Sequence, residues 1–378
     1  MECVAAGLPV TVVDQAPIPH PQAASNDRHR VVRALHPRDA ALTRAGSRAL
    51  RAWRALERRL RLRLLVAVGA LHVLPPDEVP WHLELLGAGG MPAEALTPEQ
   101  LADRYPMLRL PPGHAAILEA AAGVVLADLL LSRLGQWLGE QPGVRFRLGT
   151  PVTAIDPAGL VHLADGTSLG ARRVVVATGP FTRDLLAPAL ARRLTLYRQS
   201  TLYCRPWGSL HAWSATPAMP TLGSAQGAWL VPPVNGTPLR LSAHGACREV
   251  GTMSSDETPP FWKERLCELF ASLLAGFHPG VVAGARDGYY LADALHGGPL
   301  LLTLGAGTVW CYAACGGSSF KFAPLIAAAL ARRAAGSEPE PTGIDAVDDP
   351  EAGDDLVLAG HPIGRGSHET AGTGSRPA

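Results

Sequence analysis

Five short stretches carry residue types from which a binding or redox site can be built. VTVVDQAP (10–17) is a β-branched run closed by Asp14, the arrangement in which an acid at a strand's end takes the ribose hydroxyls of an adenosine. SNDRHRVVR (25–33) is dense in hydrogen-bond donors and follows where a cofactor pyrophosphate would lie, although such a segment standing alone is more often a solvated loop. RRVVVATGP (172–180) is an apolar strand ending in small residues, which let backbone approach a ligand; a plain strand and turn would have the same composition. LRLSAHG (239–245) sets Arg240 and His244 four apart on one face of a strand, where a lone histidine is usually structural. CGGSSFKFAPL (315–325) places Gly316 and Gly317 ahead of Lys321 and a long apolar helix. Free amides at that helix start would suit an anionic or electron-rich group, and an ordinary loop-to-helix junction would look alike.

The elements that must position these residues follow from periodicity. Residues 39–62 carry apolar and Ala positions at helical spacing among many arginines, and they feed the strand-like LLVAVGALHVLP. A helix over DLLLSRLGQWLGEQPG begins after Asp128 and stops before Pro142. A β-meander with Asp-Pro and Asp-Gly turns runs from it into the buried strand at 172–178. Residues 192–245 alternate as an antiparallel sheet does, 259–275 form an amphipathic helix, and GYYLADALHGGPLLLTLG gives two strands around a Gly-Gly turn. A last helix ends at Gly336, and 337–378 are acidic, small and polar, the composition of a disordered tail.

The 378 residues, 47% hydrophobic, suffice for a large core in two structural units. A formal net charge of +1 argues against electrostatic capture of nucleic acid or an anionic membrane, so the expected partner is a small molecule; nothing sets the oligomeric state. Six cysteines without zinc-type spacing predict neither a disulfide framework nor a metal site, and point to a reducing cytoplasm. The longest apolar run, 64–74, is shorter than the roughly 20 residues of a membrane helix.

In chain order, over roughly residues 5–335, these stretches resemble the flavoenzyme family of monomeric sarcosine oxidase, glycine oxidase and D-amino-acid oxidase relatives. The resemblance implies an α/β (α+β) fold, with a truncated Rossmann-like FAD-binding domain (1–60, 110–190 and 300–336) interleaved with an antiparallel-sheet substrate domain (61–109 and 191–299). It assigns Asp14 to the adenosine ribose, and it matches Ser25, Asp27, Arg30 and Arg33 to a motif whose arginines surround the flavin. Thr178 and Gly179 fall in the cofactor turn, where Pro180 and Phe181 replace a small residue and a tryptophan. Gly316, Gly317 and Lys321 match a segment whose backbone lies by the flavin and whose lysine binds a substrate carboxylate; Ser318 stands in place of a histidine. His244 fits the family's histidine, and Arg240 occupies a position where sarcosine oxidases carry a lysine that helps activate oxygen. Gly288 replaces the cysteine that tethers FAD, so the cofactor is expected to be non-covalent.

The implied activity is oxidation of the C–N bond of a small amine or amino acid by hydride transfer to flavin N5, giving an imine that hydrolyses. Lys321 and Arg30 would bind the carboxylate, and His244 and Tyr290 would shape and polarise the pocket. The largest departure is at the beginning. VAAGLPVTVVDQ matches the end of a first helix plus a second strand, so the first strand and its glycine-rich phosphate turn are expected upstream of Met1, and FAD is expected to bind weakly without them. The alternatives are a degenerate, non-catalytic relative that has lost FAD and an NAD-dependent dehydrogenase. Strands 10–14 and 172–178 are expected to share one sheet.

Overall fold

The computed structural model describes residues 1–37, 39–110, 112–337 and 358–359. Asp39 starts the long helix Ala40–Leu60, because its carboxylate accepts the Leu42 N–H and satisfies one orphan donor of the first turn. Ala45, Ala49, Leu50 and Trp53 recur on its buried side, Arg44, Arg51 and Arg58 are exposed, and Arg61 in the left-handed region ends it. Gly46 is a point of close approach: a Cβ there would stand 2.6 Å from the Ala34 carbonyl oxygen. The helix therefore lies directly on the chain that follows Arg33.

Nine strands form the large sheet, in the order Cys247–Glu249, Leu194–Cys204, Leu239–Ala243, Ala228–Val231, Ala218–Thr221, Ala70–Leu74, Ala115–Glu119 and Ala93–Leu96, with Val282–Asp293 also paired to Leu194–Cys204. The antiparallel reading of 192–245 is met. Leu202, Met219, Leu230 and Leu241 pack with Leu266 and Phe270 of the helix Pro260–Leu273 in one core. Ala115–Glu119, expected in the cofactor unit, belongs to this large sheet.

The remaining strands form small sheets. Val10–Asp14 runs parallel to Val144–Leu148, and Val174–Val176 runs parallel to Val309–Cys315, which pairs antiparallel with Pro299–Leu304. The expectation that 10–14 and 172–178 share a sheet is therefore not met. Among the described residues no strand bonds the second edge of Val10–Asp14 or of Val174–Val176, so the ladder stops at each. The strand expected to be buried is so in part: Val176 is in the core, while Val175, on the other face, is 38% exposed. Arg30–Val32 pairs with Gly123–Val125, which pairs with Leu65–Val66. The meander 152–170 forms as expected, and Leu358–Ala359 adds to its Val152–Ile155 strand. The rest of the tail read as disordered, from 338 onward, lies outside the described residues.

Two local expectations change. Strand Leu239–Ala243 ends before His244, which begins a short 3-10 turn, so Arg240 and His244 do not share a strand face. The last helix spans Ala323–Ala334 and is preceded by a 3-10 turn, Ser319–Phe322, which contains Lys321. Lys321 thus sits in a turn ahead of the helix.

Candidate active site

The turn after the strand Val309–Cys315 brings together Gly316, Gly317, Lys321 and Tyr290. Gly316 and Gly317 both adopt positive φ, +58° and +70°. A Cβ on Gly317 would lie 2.9 Å from the Tyr290 ring, so only glycine lets this backbone rest on the aromatic face. Tyr290 stacks on Tyr197 at 5.4 Å between centroids, and its hydroxyl lies 3.2 Å from Cys247 Sγ. Burial, then the contact with the thiol, pushes the Tyr290 phenol up, so it stays protonated as a rigid polar wall.

Lys321 lies in the short turn that follows these glycines, and the charge of Arg33 acts on it. Lys321 is 8% exposed; its Nζ donates to the Ser318 carbonyl at 2.9 Å, and its own carbonyl accepts Trp53 Nε1–H at 2.8 Å. Burial, then the charge of Arg33, holds the Lys321 amine well below its ordinary value. Arg33 is lowered to about 10 by burial, with Glu119 opposing the shift, and so remains protonated at neutral pH. Its Nη1 is buried without a hydrogen-bond partner, and among the described residues neither group has a carboxylate within ion-pair distance. Burial and then Arg33 also lower His244, while His36, hydrogen-bonded through Nδ1 to the Ala34 carbonyl at 2.8 Å, is held neutral by burial and the same arginine. The arrangement is a desolvated guanidinium and a desolvated amine among neutral imidazoles. It is suited to a carboxylate or to the electron-rich edge of a bound ring.

Arg30 has a different place from the one expected. Its Nη1 donates to Asp27 Oδ2 and its Nη2 to the Ala24 carbonyl. The same carboxylate oxygen lies 3.1 Å from Arg240 Nη1 and accepts the Tyr203 hydroxyl at 3.0 Å, while Arg240 lies over the Trp229 ring at 5.1 Å. Burial alone would raise the Asp27 carboxyl, but Arg240 and Arg30 override it and hold the group well below the usual carboxylate range. Asp27 thus pairs with Arg30, the arginine expected to join Lys321 on a carboxylate, while the charge that acts on the Lys321 amine is that of Arg33.

The other predicted residues lie in a second group. Asp14, at the end of its strand, accepts the Ala16 N–H at 3.0 Å, and His20 Nε2 is 4.0 Å from it. Ser25 contributes its carbonyl to the Asp27 N–H. Thr178 and Thr182 share a hydroxyl hydrogen bond at 2.8 Å, and Phe181, two residues past Gly179, meets the His20 ring at 5.2 Å. The loop after strand 10–14 and the turn after strand 174–176 are therefore neighbours even though their strands are in separate sheets. Glu119, His36, Tyr197 and Cys247 were not singled out in the sequence. Only Glu119 had a visible signal, a lone acid closing the apolar run AAILE. Among the described residues no group of three or more His, Cys, Asp or Glu side chains could hold a metal ion.

A family model described as "DAO: FAD dependent oxidoreductase" matches residues 1–333. Human peroxisomal sarcosine oxidase is 27% identical over 182 residues, 47% of this chain and 46% of that protein. N-methyl-L-tryptophan oxidase of Yersinia pestis (strain Pestoides F) is 27% identical over 187 residues, 48% of this chain and 50% of its own. The chain thus spans about half the length of the curated relatives it matches. The solved structure of NikD, described as an unusual amino acid oxidase essential for nikkomycin biosynthesis, superimposes with a TM-score of 0.75 at 19% identity, over 91% of this chain and 92% of that one. At that identity the likeness establishes the fold.

Proposed function

Because the chain belongs to the DAO family of FAD dependent oxidoreductases, we propose that it oxidises the C–N bond of a small amine or amino acid that carries a carboxylate. The observation that supports this most directly is the Arg33 guanidinium, whose buried Nη1 has no hydrogen-bond partner, acting on the buried Lys321 amine with no carboxylate within ion-pair distance of either among the described residues. The backbone of Gly316 and Gly317 would hold the flavin end of FAD, while Asp14, Thr178 and Gly179 would hold its adenosine end. When bound, FAD supplies the two-electron acceptor for the C–H bond next to nitrogen.

The chain's own residues do the rest. Arg33 and Lys321 take the substrate carboxylate and so fix which carbon faces the acceptor. His244 and Tyr290, both neutral, line the pocket without offering a strong base, so the amine must arrive unprotonated or lose its proton to solvent. Gly288 carries no thiol, which supports non-covalent FAD. Six free cysteines support a reducing, cytoplasmic setting, and no described helix is long and apolar enough to cross a membrane.

The test is anaerobic mixing of flavin-loaded protein with N-methyl amino acids and with the matching amines that lack the carboxylate. The reading expects flavin bleaching with the carboxylated compounds at much lower concentration. Bleaching by neither class, or by both at equal concentration, would contradict it.

A further inference from the structure

Glu119 closes the strand Ala115–Glu119 and is fully buried, yet no part of the proposed chemistry uses it. Its carboxylate is aimed at backbone: Oε1 accepts the Ala34 N–H at 2.6 Å and Oε2 accepts the Leu35 N–H at 3.0 Å. His72 Nε2, also fully buried, lies 3.7 Å from Oε2. The helix backbone at Gly46 lies so close to Ala34 that a Cβ there would stand 2.6 Å from its carbonyl oxygen, and within the segment His36 bonds that carbonyl. Residues 34–36 are thus held by Glu119 and the helix. The residue immediately before them is Arg33, and the charge of Glu119 opposes the effect of burial on its guanidinium.

We propose that Glu119 is the positioning residue of the anion-binding pair: by gripping the amides of Ala34 and Leu35 it fixes where the neighbouring Arg33 guanidinium stands relative to Lys321. The proposal rests on the reading of Arg33 and Lys321 as a carboxylate site. A carboxylate is the fitting group for this grip, since it offers two acceptors to two parallel N–H donors and none of its lone pairs has to be shared with a donor of its own. Glutamine would set an NH2 against one of those amides. Aspartate would keep the charge but lack the reach for both.

The test uses flavin-loaded protein and two substrates, an N-methyl amino acid and the matching amine without its carboxylate. Glu119→Gln should raise KM for the carboxylated substrate about tenfold and leave the amine within about twofold, because a displaced guanidinium harms only the group it binds. In an Arg33→Met background the same substitution should add nothing to the carboxylate effect. An equal loss on both substrates, or an undiminished effect without Arg33, overturns the proposal. Where Glu119→Gln does not fold, hydrogen exchange of the unaltered protein decides: the Ala34 and Leu35 amides should exchange as slowly as the central strands, and fast exchange there refutes the grip. If Arg33→Met alone leaves carboxylate preference intact, the carboxylate site is misassigned, an outcome that the exchange measurement does not share.

Discussion

Arg240 Nη1 stands 3.1 Å from Asp27 Oδ2, and that one ion pair ties the strand Leu239–Ala243 of the large sheet to the segment leading into Arg30–Val32. Asp27 also serves Arg30 and the Tyr203 hydroxyl. Asp27→Asn would leave two poorly exposed guanidinium groups without an anion, so the unfolding free energy should fall by about 3–5 kcal/mol. The Asp27 carboxyl is lower in the folded state, so its contribution is present above the ordinary value of 3.8 and is lost as pH falls below it. Urea unfolding of the two proteins should differ at pH 7 and converge in acid. A constant difference down to pH 3 would count against the ion-pair account.

His29 is fully buried, with neither ring nitrogen partnered among the described residues, and burial followed by Arg240 holds its imidazole at about 3. The unfolded chain takes up that proton from about pH 6.5 downward while the folded protein does not. Stability should therefore decline between pH 6.5 and 3, His29 contributing about 1.4 kcal/mol per pH unit. His29→Phe should show an acid slope shallower by one proton. An unchanged slope would mean that His29 titrates normally in the folded protein.

Gly317→Ala tests the packing of the turn against Tyr290. The substitution adds a Cβ at positive φ and 2.9 Å from the ring, whereas Gly288→Ala, in the neighbouring strand, meets nothing within 4 Å. The first should cost more than about 1 kcal/mol and the second much less. Equal melting temperatures for the two variants would show that the turn and the ring are not in contact.

Flavin bound to this protein should leave on acid precipitation and appear in the supernatant, since Gly288 offers no sulfur for a tether. A pellet that stays yellow would require another attachment point.

Much of the fold was legible because it is local. The helix Ala40–Leu60 follows from apolar spacing and the Asp39 cap, and the meander 152–170 follows from its turns. What was not legible is long-range. Whether strands 10–14 and 174–176 share a ladder depends on what lies between them, which neither segment encodes. Of the candidate site, Lys321 stood out by its setting after Gly316 and Gly317 and Tyr290 entered with the family resemblance, but what sets Arg30 apart from Arg33 is Asp27, whose carboxylate pairs with the first. Both arginines have the same chemistry in sequence, and only the pairing separates them. Glu119 escaped for a related reason: its partners are backbone amides about 85 residues away in the chain, and backbone leaves no trace in residue type.

The central claim is that Arg33 and Lys321 form a carboxylate site, and Lys321→Met tests it most directly, since methionine keeps the buried stem and removes the ammonium. In flavin-loaded protein, KM for an N-methyl amino acid should rise by about one to two orders of magnitude, the worth of a charged hydrogen bond, while KM for the matching amine without a carboxylate stays within about twofold. An equal rise for both substrates would contradict the account and assign Lys321 to the flavin or to the fold.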